Sequence, residues 1–330
     1  MSQSVPVDKN SARRISKVKT AKAFSPAGIS SFFEVCDVEP NGTSISNSDR
    51  IGARGGGFVI QKGVHTHVEV NEAKTNSVSV FIDGKMAPEA ETTRAVAEAL
   101  LAKTHRRYTV AIRHRVEVPI GAGFGSSAAG ALSAALALSK ALGLNLTYNQ
   151  LGRIAHAAEV KCKTGLGTVG PLMLGGCVLT VEPGAPGIAI IDRIPISADY
   201  VIVTGVFGAT PTKEVLSSPR KREMVNLWGR KTLKAIIDEP SVENFLACCL
   251  EFAEKAGFMT ARVRQLVRLA EKAGAIGAAQ NMVGEAVHAL VRMENADNIA
   301  EAFKQLLPNE KILVAKIDFQ GARLVGHEKV

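Results

Sequence analysis

Residues 119–143 read PIGAGFGSSAAGALSAALALSKALG, a glycine-rich loop joined without a spacer to a run of Ala, Leu and Ser. No other stretch limits the fold as strongly. Ala and Leu are among the best helix formers, and a helix with almost no polar face belongs inside a protein. The apolar run after Ser127 spans 16 residues and is interrupted by Gly130, Ser133, Ser139 and Lys140. That is short of the roughly 20 apolar residues a membrane span needs, so the run predicts a buried helix. The amino end of such a helix carries unpartnered N–H groups and the positive pole of the helix dipole. Gly121, Gly123 and Gly125 lack a Cβ, so the loop before it can adopt positive φ and admit a ligand to the backbone. Loop and helix together make an anion site suited to phosphate. A glycine turn closed by a serine cap is the competing reading. Two phosphate motifs are excluded: the dinucleotide fingerprint needs Gly where Ser126 stands, and no Lys follows these glycines as a P-loop requires.

The rest of the chain organises around this segment. Residues 22–36, 55–70, 77–83 and 108–118 read as strands, and 92–104 as a helix. A further helix starts at Thr147, where Thr147 and Gln150 have capping-box spacing; Leu151, Ile154, Ala155 and Ala158 form its apolar stripe, with Glu159 at its border. A strand is predicted over 176–181, and the Pro- and Gly-rich 183–187 is the expected domain boundary. Beyond it come a strand at 200–207, helices near 219–237, 241–256, 260–273, 281–294 and 297–307, and a strand at 312–317. Strands and helices mix without strict alternation, which points to an α+β fold rather than a doubly wound sheet. The expected division is a flexible basic arm over 1–21, an N-terminal domain over 22–185 and a C-terminal domain over 186–330.

The net charge of +9 sits largely outside the expected domains, because residues 1–22 hold six cations against Asp8. The arm has no apolar core of a secretory signal, and the remainder carries too small an excess to read as a nucleic-acid surface. Cys36, Cys162, Cys177, Cys248 and Cys249 form no C-x-x-C pair, and an odd count suits a reducing compartment. The expected location is the cytoplasm.

The loop Pro119, Gly121, Ala122, Gly123, Phe124, Gly125, Ser126, Ser127, Ala128 resembles the central ATP motif of the GHMP small-molecule kinases, P-x-G-x-G-[LF]-G-S-S-A. The resemblance implies a two-domain GHMP kinase fold, with an N-terminal domain like ribosomal protein S5 and a ferredoxin-like C-terminal domain. It implies that these nine residues wrap the ATP phosphates, that Ser127 and Glu159 hold Mg²⁺, and that Ser126 lies close to the phosphates. An oxygen-only set of one carboxylate, one hydroxyl, phosphates and waters suits that ion. The segments at 157–167, 23–33, 274–290 and 212–216 are similar to the archaeal pantoate kinase branch of the family. The implied reaction is transfer of the ATP γ-phosphoryl group to pantoate, giving 4-phosphopantoate for coenzyme A synthesis. Acceptor-site candidates are Ser25, Ser30 and Ser31 from the first motif, and Lys161, His156 and His288 as partners for the pantoate carboxylate. The expected partner is this small molecule, with neither nucleic acid nor membrane and with a homodimer as the candidate assembly.

The chain departs from the family pattern twice. Thr168 stands where many members carry a catalytic Asp, and Gly28 where relatives often place a basic residue. Thr168 is the candidate to meet the acceptor hydroxyl without taking its proton. Two other readings stay open: a GHMP kinase for another alcohol such as mevalonate, homoserine or shikimate, and a non-catalytic relative that only binds ligand.

Overall fold

Strand β2 (Gly52–Ala73) is 22 residues long and alternates in burial over much of its length, the pattern of a strand with one face on a core. It pairs antiparallel with β1 (Lys19–Cys36) along nearly its whole length. The computed structural model describes residues 18–39, 41–209 and 218–326. Residues 1–17, most of the expected arm, and residues 212–216 of the pantoate-kinase-like segments lie outside this description. The arm's last residues, from Lys19 on, instead begin β1.

The chain continues through β3 (Ser77–Ile82), β4 (Lys85–Met86), α1 (Glu91–Leu101) and β5 (Arg107–Val116). Then come α2 (Ser126–Leu142), α3 (Tyr148–Cys162), α4 (Val169–Leu174), β6 (Cys177–Glu182) and β7 (Ile190–Ile194). The second half comprises β8 (Tyr200–Ala209), α5 (Pro219–Asp238), α6 (Val242–Lys255), α7 (Ala261–Lys272), β9 (Gly277–Gln280), β10 (Gly284–Arg292), α8 (Ala296–Phe303), β11 (Ile312–Lys316) and β12 (Arg323–Val325). An eight-stranded sheet runs β12-β1-β2-β5-β3-β4, with β6 and β7 added along the amino-terminal part of β2. A four-stranded sheet runs β11-β8-β10-β9. Among the described residues only β3 and β5 pair in parallel, so the α+β expectation holds.

One expectation changes. The predicted helix over 281–294 is largely strand β10. Hydrogen-bonded between β8 and β9, it is buried nearly throughout, and a strand covered on both faces reads as a continuous apolar run with no period of two. Residues 183–187 form only the turn between β6 and β7, and the chain leaves the first sheet after Ile194. Finally, β12 returns to the first sheet and pairs with β1, so the carboxyl-terminal segment belongs to both halves.

Helix α2 lies against β1 and β2 and is flanked by α1, α3 and α4. Fourteen of its 17 residues are buried, as its composition requires. A second core joins the two sheets. Phe32 and Phe58 of the first sheet meet Phe245 and Phe252 of α6, with Phe58 and Phe245 edge-on at 5.3 Å. Glu34 in β1 is buried but receives Arg54 at 3.3 Å and Arg230 of α5 at 2.8 Å. All five cysteines are free, and none of the described helices is long and apolar enough to cross a membrane.

The Phe245 ring is fully buried at the seam between the halves. We expect Phe245→Ala to lower the free energy of unfolding by about 3–5 kcal/mol, as large-to-small changes in packed cores do. Urea unfolding checks this, and a loss below about 1 kcal/mol would show that the seam is not a packed core.

Candidate active site

The loop before α2 takes the conformation its glycines allow. Gly123 and Gly125 have φ of +81° and +59°, values that L side chains rarely adopt. Space is restricted as well, since a Cβ on Gly123 would lie 2.9 Å from Cβ of Asn281. Gly125 is the residue before α2, and Ser126 and Ser127 are its first two residues. No side chain caps this helix. Its first N–H groups therefore face the loop without a protein side chain to satisfy them, which leaves the anion site open.

One side of this site is built from hydroxyls. Ser127 Oγ donates to Thr92 Oγ1 at 3.4 Å, Thr92 and Thr164 hydroxyls are 3.0 Å apart, and Thr164 Oγ1 donates to Glu159 Oε1 at 3.1 Å. Thr92 comes from α1, Ser127 from α2, Glu159 from α3, and Thr164 from the turn after α3. The capping box of Thr147 and Gln150 that starts α3 is present as expected. It fixes the helix that carries Glu159.

Glu159 is 2% exposed, and no cation pairs with it among the described residues. Glu34, similarly buried, has two arginines. A buried carboxylate without a cation is costly. Burial pushes the Glu159 carboxyl up to about 7, against smaller opposing effects of the Ser127 and Thr164 hydroxyls. Among the described residues no cluster of His, Cys, Asp and Glu could cage a metal by itself. A single carboxylate beside hydroxyls and an anion-binding helix end instead fits a hard cation that takes its remaining ligands from phosphate and water.

The two departures from the family pattern lie together. Cβ atoms placed at Gly28 and Gly125 would sit 3.3 and 2.7 Å from Thr168 Cγ2. The Gly28 N–H donates to the Phe124 carbonyl at 3.1 Å, tying the first motif to the phosphate loop. A side chain at position 28 would also meet Leu172 Cδ2 at 2.9 Å, so the pocket has closed around the glycine.

The remaining candidates separate. Ser25, Ser31 and His288 are fully buried. Ser25 donates to the Pro26 carbonyl, and Ser31 lies 3.0 Å from Nε2 of His288, whose Nδ1 lies 3.0 Å from Asn281 Oδ1. These three side chains bond within the protein. Burial lowers His288 to about 3, leaving the imidazole neutral. The His156 Nε2–H lies against the Ser48 and Ile51 carbonyls at 3.2 and 3.0 Å, and burial holds its pKa down. Lys161 is exposed in the last turn of α3, and Ser30 is half-buried, its carbonyl accepting from Met282 N–H at 2.7 Å. Sequence reasoning missed Thr92 and Thr164; an isolated threonine carries no periodic signal, and Thr92 is 72 residues from its partner.

A glycine loop feeds the uncapped end of a buried helix, with one unpaired carboxyl at its side, an arrangement with the chemistry to take a phosphate. Residues 91–176 match the family model described as GHMP kinases N terminal domain. The chain is 34% identical to the pantoate kinase of Thermococcus kodakarensis, over 87% of this chain and 91% of the relative. It is 27% identical to the pantoate kinase of Methanocaldococcus jannaschii, over 85% and 96% of the two chains. A solved structure titled "Phosphotransferase related to CoA biosynthesis pathway" superposes with a TM-score of 0.83 and 30% identity, covering 93% of this chain and 98% of that one. The chain belongs to the GHMP kinase family.

The Glu159 value has a stability consequence. Because it is raised above the ordinary 4.5 of an unfolded carboxyl, folding favours the protonated form. That contribution is present below pH 4.5 and is lost as pH rises through 7, on the order of 3 kcal/mol for a shift of this size. Glu159→Gln should therefore gain stability over the parent between pH 5 and pH 8, read by urea unfolding of both proteins at each pH. An unchanged difference would mean that the carboxyl is not held unpaired.

Proposed function

We propose that this protein transfers the γ-phosphoryl group of Mg-ATP to the hydroxyl of pantoate, releasing ADP and 4-phosphopantoate, in the cytoplasm and as a step of coenzyme A synthesis. The observation that carries the reading is the unpaired Glu159 carboxyl, joined by hydroxyls to Ser127 at the open end of α2. The substrate assignment draws on two named pantoate kinases that align over most of the chain.

The chain's own contributions follow from their positions. The N–H groups of the loop and of the first turn of α2 bind the triphosphate and orient its terminal phosphorus. Ser127 and Glu159 would hold Mg²⁺, which neutralises charge on the transferring group when bound. Thr92 and Thr164 keep those two side chains in place. The acceptor hydroxyl oxygen forms the new bond to the γ-phosphorus as the bond to the β,γ-bridging oxygen breaks. Thr168, lying against Gly125 and Gly28, is placed to orient that hydroxyl. No carboxylate stands at this position, so the hydroxyl proton leaves to a phosphate oxygen or to water. A loose, largely dissociative transition state needs little activation of the nucleophile. A general base is worth roughly 10²–10⁴-fold where one operates, so positioning and charge stabilisation carry the larger share here.

Phosphate transfer from Mg-ATP to pantoate, measured beside mevalonate, homoserine and shikimate, tests the assignment. Turnover confined to pantoate is expected, and preference for another alcohol would overturn it. Glu159→Ala should abolish turnover, and full activity in that variant would remove the carboxyl from the mechanism. Thr168→Asp places an unpaired carboxylate beside the phosphate loop, so we expect kcat to fall by about tenfold or more. A gain in kcat would instead show that the site lacks only its base.

A further inference from the structure

A second concave site lies away from the phosphate loop, where the carboxyl-terminal segment crosses from one sheet to the other. It is a cleft of about 780 Å³, and none of the loop or hydroxyl residues lines it. Its wall is set by an isolated bridge between Ile60 and Ile317 and by Gln61 Nε2 donating to the Ile317 carbonyl at 3.3 Å.

Its charges do not balance. Lys62, Arg115, Lys316 and Arg323 line it against Glu117 and Asp318. Both acids are already engaged. Asp318 Oδ2 accepts from Arg323 at 3.0 Å, while Oδ1 accepts from the N–H groups of Gln320 and Gly321 at 2.9 and 2.8 Å. Glu117 Oε1 accepts from Arg115 at 2.9 Å, and Oε2 meets both His65 Nε2 and the Gly63 N–H at 3.3 Å. Lys62 and Lys316 are left without an acid among the described residues.

The cleft is also apolar where a surface is usually polar. Phe319, Val314 and Val325 line it and are 37%, 42% and 40% exposed. Two unpaired ammonium groups attract a compact, multiply charged anion. Three exposed apolar side chains beside them favour an anion with a hydrocarbon or aromatic body over a free inorganic ion. The volume is in the range of small-molecule pockets.

We propose that this cleft is a second ligand site that takes an organic phosphate, its phosphate on Lys62 and Lys316 and its apolar body on Phe319, Val314 and Val325. The inference is independent of the acceptor assigned above. Neither lysine belongs to the phosphate loop, so a Lys62→Ser/Lys316→Ser double variant keeps the ATP-dependent turnover of the parent, which also shows that it folds.

The test is calorimetric titration of 1-naphthyl phosphate into the full chain, with AMP-PCP and Mg²⁺ present in excess to occupy the phosphate loop. Binding at one site per chain is expected, weakened at least about tenfold by the double variant and by substituting inorganic phosphate for the probe. Equal affinity in parent and double variant, or no binding by the parent up to millimolar probe, overturns the proposal. So does a dimer, seen by light scattering, that the double variant dissociates, because a second copy of the chain would then fill the cleft.

Discussion

A carboxyl group held out of water with only hydroxyls for company is the constraint on which the rest of this site depends. Glu159 is 2% exposed, and its carboxyl accepts from the Thr164 hydroxyl at 3.1 Å. The fold does not lack the means to neutralise a buried acid, since Glu34 receives two arginines across the seam between the halves. Among the buried carboxyls of the described residues, Glu34 and Asp318 have arginine partners and Glu159 has none. A phosphate bound at the α2 end and an ionised Glu159 beside it would repel each other unless a divalent cation joined them.

The changes at Gly28 and Thr168 are best understood as one. The family resemblance implies a basic residue at position 28 and an Asp at position 168, and here Gly28 and Thr168 lie against each other and against the phosphate loop. Removing one charge would leave the other beside the ATP phosphates without its partner. Removing both leaves a neutral, close-packed contact in which Leu172 occupies the space a longer side chain at position 28 would need.

The sequence made the nucleotide side readable because its physics is local. A loop that needs positive φ, a helix with no polar face and a Thr147–Gln150 capping box each announce themselves within a few residues. Glu159 borders an apolar stripe, a spacing that also suits a solvated helix edge, and its burial emerges only from the fold. What escaped depends on contacts between distant segments. Thr92 gains a role only when α1 is laid beside the turn after α3. Ser31 and His288, 257 residues apart, bond to each other. Strand β10 reads as a helix from its sequence because coverage on both faces erases the alternation that marks a strand. The Pro- and Gly-rich 183–187 is the turn between β6 and β7, whose pairing carries the first sheet past it.

The most direct measurement of the central idea is the affinity for AMP-PCP, by calorimetry, with Mg²⁺ and with EDTA, in the parent protein and in Glu159→Gln. If the α2 end and Glu159 form one site, Mg²⁺ tightens binding strongly in the parent and hardly at all in the variant, while binding in EDTA is not weakened by the substitution. The same strengthening by Mg²⁺ in both proteins would place the cation elsewhere and contradict the account.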